Sequence, residues 1–459
     1  MNGGATALMM TLGEVAAALG ARLPGVDSGF SRAISDSRTV QHGDLFVALK
    51  GERFDGHDFV TKAAELGAAG VLVARPLPDI VIPQIVVPDT RIALGTLGAY
   101  WRSCFSLPVL ALTGSNGKTT VKEMLRSILT AASGDRDAVL ATEGNLNNDI
   151  GVPLTLLRLR GHHLFAAIEM GMNHPGEIDY LARLAAPDVA LVINAGTAHI
   201  GELGSRDAIA QAKGELISAL KPGGIACVNM HDRFGAYWRQ LAGERRVIGF
   251  GILPEDEVRG DVSGNTVSIS CGGETVSVRL RVAGAHNQHN ALAAAAGAVA
   301  LGIPMSVVRR GLEQFAGVAG RLQRLQGENG ALVINDSYNA NPDSVRSAID
   351  VLAKQPGKRI LVLGDMGELG AEAAQMHAEV GSYAQHAGLD ALFAVGELTS
   401  HTVMQMGINA WHFENVDDLA GELVKLMAPN VTVLVKGSRF MKMERVVEKI
   451  AVGFDGGQH

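Results

Sequence analysis

The sequence predicts an α/β protein with three domains, and three observations carry this prediction. A chain of 459 residues is longer than a single domain usually is. From about residue 107 onward, buried apolar segments of strand length alternate with helix-like segments, which is typical of parallel sheets covered by helices. The pattern of strand-like, helix-like and turn segments changes near residues 106 and 320, so we predict domains over 1–106, 107–319 and 320–459.

The first block, residues 1–106, predicts a small α/β domain. Short strand-like and helix-like segments alternate in this block, and turn signals recur at Gly43-Asp44, Gly51-Glu52 and Asp55-Gly56.

The second block predicts a central parallel sheet. Its strands are expected at four buried apolar segments, 109–112, 164–168, 189–193 and 225–229. Residues 267–282 alternate in polarity around Gly272-Gly273, which predicts a hairpin added to this sheet. An alanine-rich helix is expected to follow over 287–301.

The third block predicts a second doubly wound sheet, with strands near 331–334, 359–363, 391–395 and 431–435. Each strand ends in a polar or glycine-containing loop, which is where open parallel sheets bind ligands. The pattern therefore indicates a Rossmann-like domain with a ligand site. The strand ends are Asn335-Asp336-Ser337, Gly364-Asp365, Gly396-Glu397 and Lys436-Gly437-Ser438.

Composition and charge exclude several classes of protein. A net charge of −7 provides no overall basic field, so we do not expect nucleic acid as a partner. The three cysteines are far apart in the sequence and odd in number, which favours reduced thiols in the cytosol. The apolar helical run over 291–303 is too short to span a bilayer, and no basic segment precedes Arg22 as a signal peptide would require. We therefore expect a cytoplasmic monomer that does not insert into membranes.

Residues 113–120, with the sequence TGSNGKTT, predict a site for a nucleoside triphosphate. Glycine lets backbone N–H groups approach phosphates, and the start of the following helix adds partial positive charge. Lys118 would neutralise phosphate oxygens and Thr119 would hold Mg²⁺. The strict motif has glycine where Leu112 stands, so a loop that merely joins strand to helix is the structural alternative. The predicted phosphate-binding residues are Gly114, Ser115, Asn116, Gly117, Lys118, Thr119 and Thr120.

Three later residues could complete a reactive site. Glu169 directly follows a buried strand and could hold Mg²⁺, although acidic residues in this position also cap helices. His199 ends the turn that begins at Asn194, and it could bind metal or move a proton; a hydrogen-bonded surface histidine is the alternative. Lys213 lies on a predicted helix and would, taken alone, be a solvated lysine.

The order and spacing of these features resemble the ATP-dependent Mur ligases over almost the full length of the chain. Residues 143–153 (EGNLNNDIGVP), 336–342 (DSYNANP) and 434–439 (LVKGSR) are similar to the family members that add D-alanyl-D-alanine. Asn335 departs from the pattern, which has a second aspartate there. The resemblance implies that ATP drives amide formation between UDP-N-acetylmuramoyl-tripeptide and D-alanyl-D-alanine through an acyl phosphate, a step of peptidoglycan synthesis.

The resemblance also implies roles for the residues around ATP and Mg²⁺. Lys118 would contact the transferred phosphoryl group, while Glu169 and His199 would join Thr119 at the metal. Lys213 would be carbamylated by CO₂, because a carbamate oxygen suits a magnesium ion whereas an ammonium is repelled by it. His199 is in addition a candidate base for the dipeptide amine.

Three further residues are implied around the nucleotide. Asn290 resembles the position that contacts adenine, with a helix cap as its structural alternative. Arg321 would lie near the phosphates and Asp336 near the ribose, and both would engage only after domain closure.

The resemblance places the other substrates in three regions. Turns in the first block would bind uridine diphosphate, three asparagines would donate amide hydrogen bonds to phosphates or to the peptide, and a cation in the third block would pair with the dipeptide carboxylate. Taken alone, most of these are turn residues. The candidates are Ser37, Arg38, Phe54, Asp55, Gly56 and His57 for the uridine diphosphate; Asn145, Asn147 and Asn148 for phosphate or peptide; and Asp365, Lys436, Ser438 and Arg439 for the dipeptide.

Two other functions fit parts of the pattern. A ligase of the same architecture that adds a single amino acid to a muramoyl peptide, or glutamate to folate, would share the phosphate loop, Glu169, His199 and Lys213. A nucleotide-dependent switch or motor would hydrolyse ATP without an acceptor, and it would leave the first and third domains unexplained. The other ligases would require a different acceptor, whereas the switch or motor would require no acceptor.

Overall fold

The computed structural model describes residues 8–52, 54–263 and 266–455. Within them the chain forms a two-stranded ladder and three larger sheets of four, nine and six strands, which confirms the α/β prediction. We refer to the larger sheets, in chain order, as the N-terminal, central and C-terminal sheets. No helix in the described ranges combines the length and the apolar character that crossing a bilayer requires.

The N-terminal sheet is parallel, and its four strands lie side by side in chain order. The first helix begins at a capping box in which Thr11 and Glu14 each accept a backbone N–H of the other. The strands are Arg32–Ile34, Asp44–Val47, Gly70–Val73 and Gln84–Val86; the helices are Leu12–Ala18, Val60–Glu65 and Thr90–Ser103, with a 3-10 turn at Gly56–Phe59; Met10–Thr11 and Gly29–Phe30 form the ladder.

The central sheet has seven parallel strands and ends in an antiparallel hairpin. The four predicted strands and the hairpin at Gly272-Gly273 are confirmed, whereas the strands at 139–141, 246–251 and 258–263 were not predicted. In sheet order the strands are Glu274–Arg279, Thr266–Cys271, Val258–Ser263, Arg246–Gly251, Ile225–Asn229, Val189–Val192, Val109–Thr113, Phe165–Glu169 and Val139–Ala141.

Helices cover both faces of the central sheet, and this explains the uniformly apolar sequence of its inner strands. Successive side chains of Val109–Thr113 point to opposite faces, so Leu110 and Leu112 pack in one core and Val109 and Ala111 in the other. The helices are Lys118–Ser133, Gly151–Leu156, Glu177–Ala185, Ile200–Leu203, Arg206–Ser218, Gly235–Leu241, Ala285–Ala300 and Met305–Gln314.

The C-terminal sheet has five parallel strands and one antiparallel edge strand, Gln323–Gln326. The four predicted strands are confirmed, and the edge strands Gln323–Gln326 and Ala410–Phe413 were not predicted. In sheet order the strands are Gln323–Gln326, Leu332–Asp336, Val431–Lys436, Lys358–Gly364, Ala391–Val395 and Ala410–Phe413; the helices are Pro342–Ala353, Ala373–His386, Thr399–Met406, Val416–Val424 and Glu444–Ile450, with 3-10 turns at Glu328–Gly330, Gly370–Glu372 and Arg439–Met441.

The strand order of the C-terminal sheet brings two distant polar residues together. Val431–Lys436 lies between Leu332–Asp336 and Lys358–Gly364, so Asp336 and Lys436 are register partners at the carboxyl ends of adjacent strands. The helix Pro342–Ala353 follows Leu332–Asp336 in the chain. Its N-cap is Asn341, whose side chain accepts the Ser344 N–H, and Pro342 occupies the first helical position. Asn341 and Pro342 therefore cap this helix.

Replacing Gly311 by alanine is expected to destabilise the central segment. A Cβ at this position would lie 2.3 Å from Cα of Ile128 in the facing helix, a contact that only backbone movement can relieve. Overpacking of this kind typically costs about 1–3 kcal/mol, and calorimetry should show a lower midpoint of thermal unfolding.

The matched control is Gly421→Ala in the helix Val416–Val424, where a Cβ would meet no heavy atom within 4 Å. Alanine in an open helical position is expected to stabilise by roughly 0.5–1 kcal/mol. Equal midpoints for the two variants would contradict the proposed helix contact.

Candidate active site

A cavity of about 1030 Å³ lies between the carboxyl ends of the strands of the central and C-terminal sheets. It collects most of the predicted nucleotide, metal and dipeptide residues, from segments that are far apart in the sequence. The predicted residues that line it are Ser115, Asn116, Gly117, Lys118, Thr119, Thr120, Asn147, Asn148, Glu169, His199, Asn290, Arg321, Asp336, Lys436, Ser438 and Arg439.

The phosphate loop presents a helix N-terminus to this cavity. Gly117 precedes the helix Lys118–Ser133 with φ +84°, and no side chain caps the first turn, so its backbone N–H groups can meet an anion. A Cβ on Gly117 would lie 2.4 Å from Oδ1 of Asn290, so glycine is required by space as well as by backbone conformation. The loop is therefore built for close approach by a ligand.

Lys118 points back across the loop and donates from Nζ to the Gly114 carbonyl at 2.7 Å. Burial lowers the pKa of Lys118, and the negative charge of Glu169 opposes this effect. Bound phosphates would add further negative charge and favour the ammonium form.

Asn194 holds the phosphate loop in place. Its Oδ1 accepts the Asn116 N–H at 2.9 Å, its Nδ2 donates to the Asn116 carbonyl at 3.1 Å, and its own carbonyl accepts the Ser115 N–H at 3.1 Å. The sequence marked Asn194 only as the start of a turn. Its function as a support for the loop becomes visible only when the two strand ends lie side by side.

Glu169 has the arrangement expected of a cation ligand. Its Oε1 accepts from Asn147 Nδ2 at 2.8 Å, while Oε2 is buried and has no hydrogen-bond partner in the described part of the chain. A buried carboxylate oxygen without a partner is costly unless a ligand satisfies it. Magnesium is commonly held by one or two carboxylates together with substrate phosphates, so Glu169 and the neighbouring phosphate loop fit this ion.

His199 faces a residue of the C-terminal segment that the sequence analysis missed. Its Nδ1 lies 2.7 Å from Oε2 of Glu368, and the imidazole lowers the pKa of the Glu368 carboxyl. His199 has φ +64°, and two residues later the Gly201 N–H donates to the Glu368 carbonyl at 3.0 Å. His199 also lines the cavity, so its imidazole can reach a metal ion held there.

Lys213 is not a solvated lysine, so the structural alternative for this residue is wrong. It is 1% exposed on the helix Arg206–Ser218, and it does not line the cavity. Burial lowers its pKa well below the ordinary value, and the charge of Lys118 lowers it further. No carboxylate forms an ion pair with it within the ranges that the structure describes.

The C-terminal segment already reaches the phosphate loop in this arrangement. Arg321 Nη2 donates to Thr119 Oγ1 at 2.9 Å, and the guanidinium lies over the Tyr338 ring at 4.3 Å. The structure thus brings Arg321 to the phosphate loop, and its engagement on domain closure stays a prediction. Asp336 lines the cavity but pairs with the buried Lys436 at 2.6 Å.

The predicted dipeptide residues divide into groups with different surroundings. Lys436 donates from Nζ to Oδ2 of Asp336 at 2.6 Å, and its place beside the dipeptide stays a prediction. Ser438 accepts the Gly367 N–H at 2.7 Å, and Arg439 pairs with Glu444 at 2.8 Å while remaining 44% exposed. Asp365 lies off the cavity and accepts the Thr399 N–H at 2.9 Å, so the structure gives it a supporting position.

The residues predicted to bind uridine diphosphate lie outside the cavity. Phe54 is 72% exposed, and Ser37 and Arg38 are on a turn where Arg38 pairs with Asp36 at 2.7 Å. The remaining three stabilise their own loop. His57 is buried, lies 2.5 Å from Asp55 through Nδ1 and accepts the Ala74 N–H through Nε2, while a Cβ on Gly56 would meet the Leu49 backbone at 2.7 Å.

Asparagines occupy three kinds of position around the site. Asn148 lines the cavity and accepts the Gly151 N–H at 2.9 Å, whereas Asn145 does not line it. Asn290 lies inside the helix Ala285–Ala300, whose N-cap is Gly284, so the helix-cap alternative for Asn290 is wrong. Its Nδ2 donates to Asn287 Oδ1 at 3.2 Å.

Several cavity residues had no recognisable signal in the sequence. Asp343 Oδ2 accepts both the N–H and the hydroxyl of Thr197, at 2.8 and 2.9 Å, and joins the two segments across 146 residues. Asn341, which belongs to the motif over 336–342 that the sequence did show, adds a bond from Nδ2 to Asn116 Oδ1 at 2.8 Å. His231 and His289 stack with ring centroids 5.6 Å apart at another part of the cavity wall.

Family profiles match most of the chain. The profile described as the Mur ligase family catalytic domain matches residues 34–101, the Mur ligase middle domain matches 112–298, and the Mur ligase glutamate ligase domain matches 320–439. UDP-N-acetylmuramoyl-tripeptide--D-alanyl-D-alanine ligase of Escherichia coli (strain K12) is 41% identical over 454 residues, covering 96% of this chain and 98% of that protein. The chain belongs to the Mur ligase family. The predicted family is thereby confirmed.

Other relatives of this Mur ligase also match it over most of its length. The Bacillus subtilis (strain 168) protein of the same name is 35% identical over 432 residues, covering 91% of this chain and 92% of its own. The crystal structure of MurF from Acinetobacter baumannii has a TM-score of 0.88 at 40% identity and covers 95% and 98% of the two chains. MurF from Thermotoga maritima in complex with ADP has a TM-score of 0.80 at 28% identity, covering 91% and 96%.

Replacing Lys118 by alanine should lower the turnover of this Mur ligase on the order of 10³-fold or more, as for charge-stabilising residues in phosphoryl transfer. The substitution removes the ammonium nearest to the phosphate-binding turn. Turnover should be measured as phosphate release at saturating Mg-ATP.

Lys62→Ala, at an exposed position outside the cavity, is the control for loss of a lysine charge. Near-normal turnover of the Lys118→Ala protein would contradict the assignment of the phosphate loop.

Proposed function

We propose that this Mur ligase joins D-alanyl-D-alanine to UDP-N-acetylmuramoyl-tripeptide, with ATP converted to ADP and phosphate, to form the UDP-muramoyl-pentapeptide used in peptidoglycan synthesis. The observation that carries the proposal is the likeness, over nearly the whole chain, to ligases named for this reaction. The structure supports it by placing the phosphate loop, Glu169 and Arg439 around one cavity.

The first step needs the phosphate loop because two anions must meet. A carboxylate of the tripeptide attacks the γ-phosphorus of ATP, a bond forms between its oxygen and phosphorus, and ADP leaves. Lys118, Arg321 and the N–H groups at the start of the helix Lys118–Ser133 offset the negative charge of both reactants. The product is an acyl phosphate, whose phosphate is a good leaving group.

The second step forms the amide bond. The dipeptide amine attacks the acyl carbon, the tetrahedral intermediate expels phosphate, and the amine loses a proton. His199 can accept that proton only in molecules where it does not bind the metal. Arg439 is an exposed cation at the proposed dipeptide side of the cavity, and its guanidinium can pair with the dipeptide carboxylate.

Thr119, Glu169 and His199 are the proposed protein ligands of magnesium, and Asn147 keeps the Glu169 carboxylate oriented. When bound, this ion withdraws charge from the phosphate oxygens during transfer. Asn290 and Asp336 are proposed to contact the adenosine, as their places on the cavity wall allow.

Lys213 is proposed to be carbamylated. Burial lowers its pKa well below the ordinary value and so favours the neutral amine, and a neutral amine can attack CO₂ to form an N–C bond with release of one proton. The resulting carbamate would replace this buried amine with an anionic oxygen donor that the charge of Lys118 favours.

The N-terminal segment is proposed to hold the uridine diphosphate end of the substrate. Phe54 offers an exposed apolar surface there, and Arg38 offers an exposed guanidinium. We further propose the domain limits 1–106, 107–319 and 320–459, a cytoplasmic location and a monomeric state.

The proposed reaction is tested by phosphate release from Mg-ATP with UDP-N-acetylmuramoyl-tripeptide and one of three additions: D-alanyl-D-alanine, single amino acids or no amine. We expect release to require both the tripeptide and the dipeptide, with a pentapeptide product by mass spectrometry. Release with a different acceptor would favour another ligase of this family. Release without any acceptor would favour a nucleotide-dependent switch.

Lys213→Ala should inactivate the enzyme, and short carboxylates such as acetate or formate should restore part of the activity by replacing the carbamate. The substitution leaves room for a small anion at a position that is 1% exposed in the intact protein. Activity should be measured against added carboxylate, with chloride at equal ionic strength as the control. Full activity without any addition would refute carbamylation.

A further inference from the structure

Tyr338 lies between two arginines on the C-terminal side of the cavity. The Arg321 guanidinium is 4.3 Å from the ring centroid, and that of Arg439 is 6.0 Å from it. All three residues line the cavity. Cation–π attraction acts over about 6 Å and strengthens when water is excluded, so the closer pair is the stronger one.

Arg321 has few other contacts that fix its position. Nη2 donates to Thr119 Oγ1, and Nε is buried without a hydrogen-bond partner in the described residues. A long side chain held by one hydrogen bond keeps much of its rotamer freedom. The Tyr338 ring is the other contact of this guanidinium that bears on its position, with Cζ over the ring at 4.3 Å from the centroid.

The backbone of Tyr338 is itself well anchored. It follows the strand Leu332–Asp336, and its N–H donates to the Gly320 carbonyl at 3.2 Å, directly before Arg321 in the sequence. The preceding Asp336 is held by the buried Lys436. The backbone that carries the Tyr338 ring is therefore held beside the backbone of Arg321, whose guanidinium the ring contacts.

We propose that Tyr338 is a positioning residue for phosphoryl transfer, and that its ring holds the Arg321 guanidinium at the Thr119 edge of the phosphate loop. This inference rests on the proposed function, because it concerns the transfer of the ATP γ-phosphoryl group. Tyr338 acts through Arg321, and the aromatic face, not the hydroxyl, carries the effect.

The test is a double-mutant cycle of Tyr338→Leu and Arg321→Met, with Tyr338→Phe as the matched control. Tyr338→Phe should keep kcat within about 3-fold of wild type, because the ring remains. Tyr338→Leu should lower kcat roughly 5- to 20-fold, the range for a partly desolvated cation–π contact. In the Arg321→Met background, Tyr338→Leu should have little further effect, because its partner is already absent.

Two outcomes would overturn the inference. If Tyr338→Phe loses as much kcat as Tyr338→Leu, the hydroxyl and not the ring is responsible. If the losses of the two single variants multiply in the double variant, Tyr338 acts independently of Arg321. Thermal unfolding of each variant identifies those whose loss comes from unfolding.

A binding measurement separates this inference from the proposed function. Calorimetry with ADP and with the non-hydrolysable analogue adenylyl imidodiphosphate needs no ligase activity. Tyr338→Leu should weaken the binding of the triphosphate analogue more than the binding of ADP. This difference should appear only while Arg321 is present. If Tyr338→Leu weakens the binding of both nucleotides equally, with Arg321 present and with Arg321→Met, then Tyr338 acts on the adenine base and the inference is refuted. This result would hold whether or not the wild-type protein forms the pentapeptide.

Discussion

The active site depends on the contact between the central and C-terminal segments at the phosphate loop. Arg321 reaches Thr119, Asn341 reaches Asn116, and Asp343 accepts two hydrogen bonds from Thr197. Each bond joins a strand end or loop of one sheet to the other sheet. Neither sheet alone surrounds a triphosphate, so the chemistry that we propose requires both to be held in this arrangement.

Burial gives the site its electrostatic character. Glu169 and Lys213 are almost fully buried, and each departs from the behaviour of an ordinary charged side chain. Glu169 leaves one oxygen without a hydrogen-bond partner in the described residues, and Lys213 has a strongly lowered pKa. A ligand metal and a carbamate would satisfy these two groups, which is why both belong to one chemical proposal.

The sequence predicted the parts of the fold and site that depend on local patterns. The strand Val109–Thr113 and the Gly117-Lys118 turn are encoded by neighbouring residues, so both were found. The edge strand Gln323–Gln326 is polar and has no such signal. The pairing of Lys436 with Asp336 could not be predicted either, because strand order, not spacing, makes these residues neighbours.

The place of Val431–Lys436 in the middle of the C-terminal sheet has a consequence for synthesis on the ribosome. Its neighbour Leu332–Asp336 is made about a hundred residues earlier, and Lys436 follows Asp336 by 100 positions. Until this strand emerges, both flanking strands expose unpaired backbone groups that can attract other chains. The nascent protein thus completes its C-terminal sheet only after residues 431–436 have been synthesised, when the N-terminal and central segments have long been free to fold.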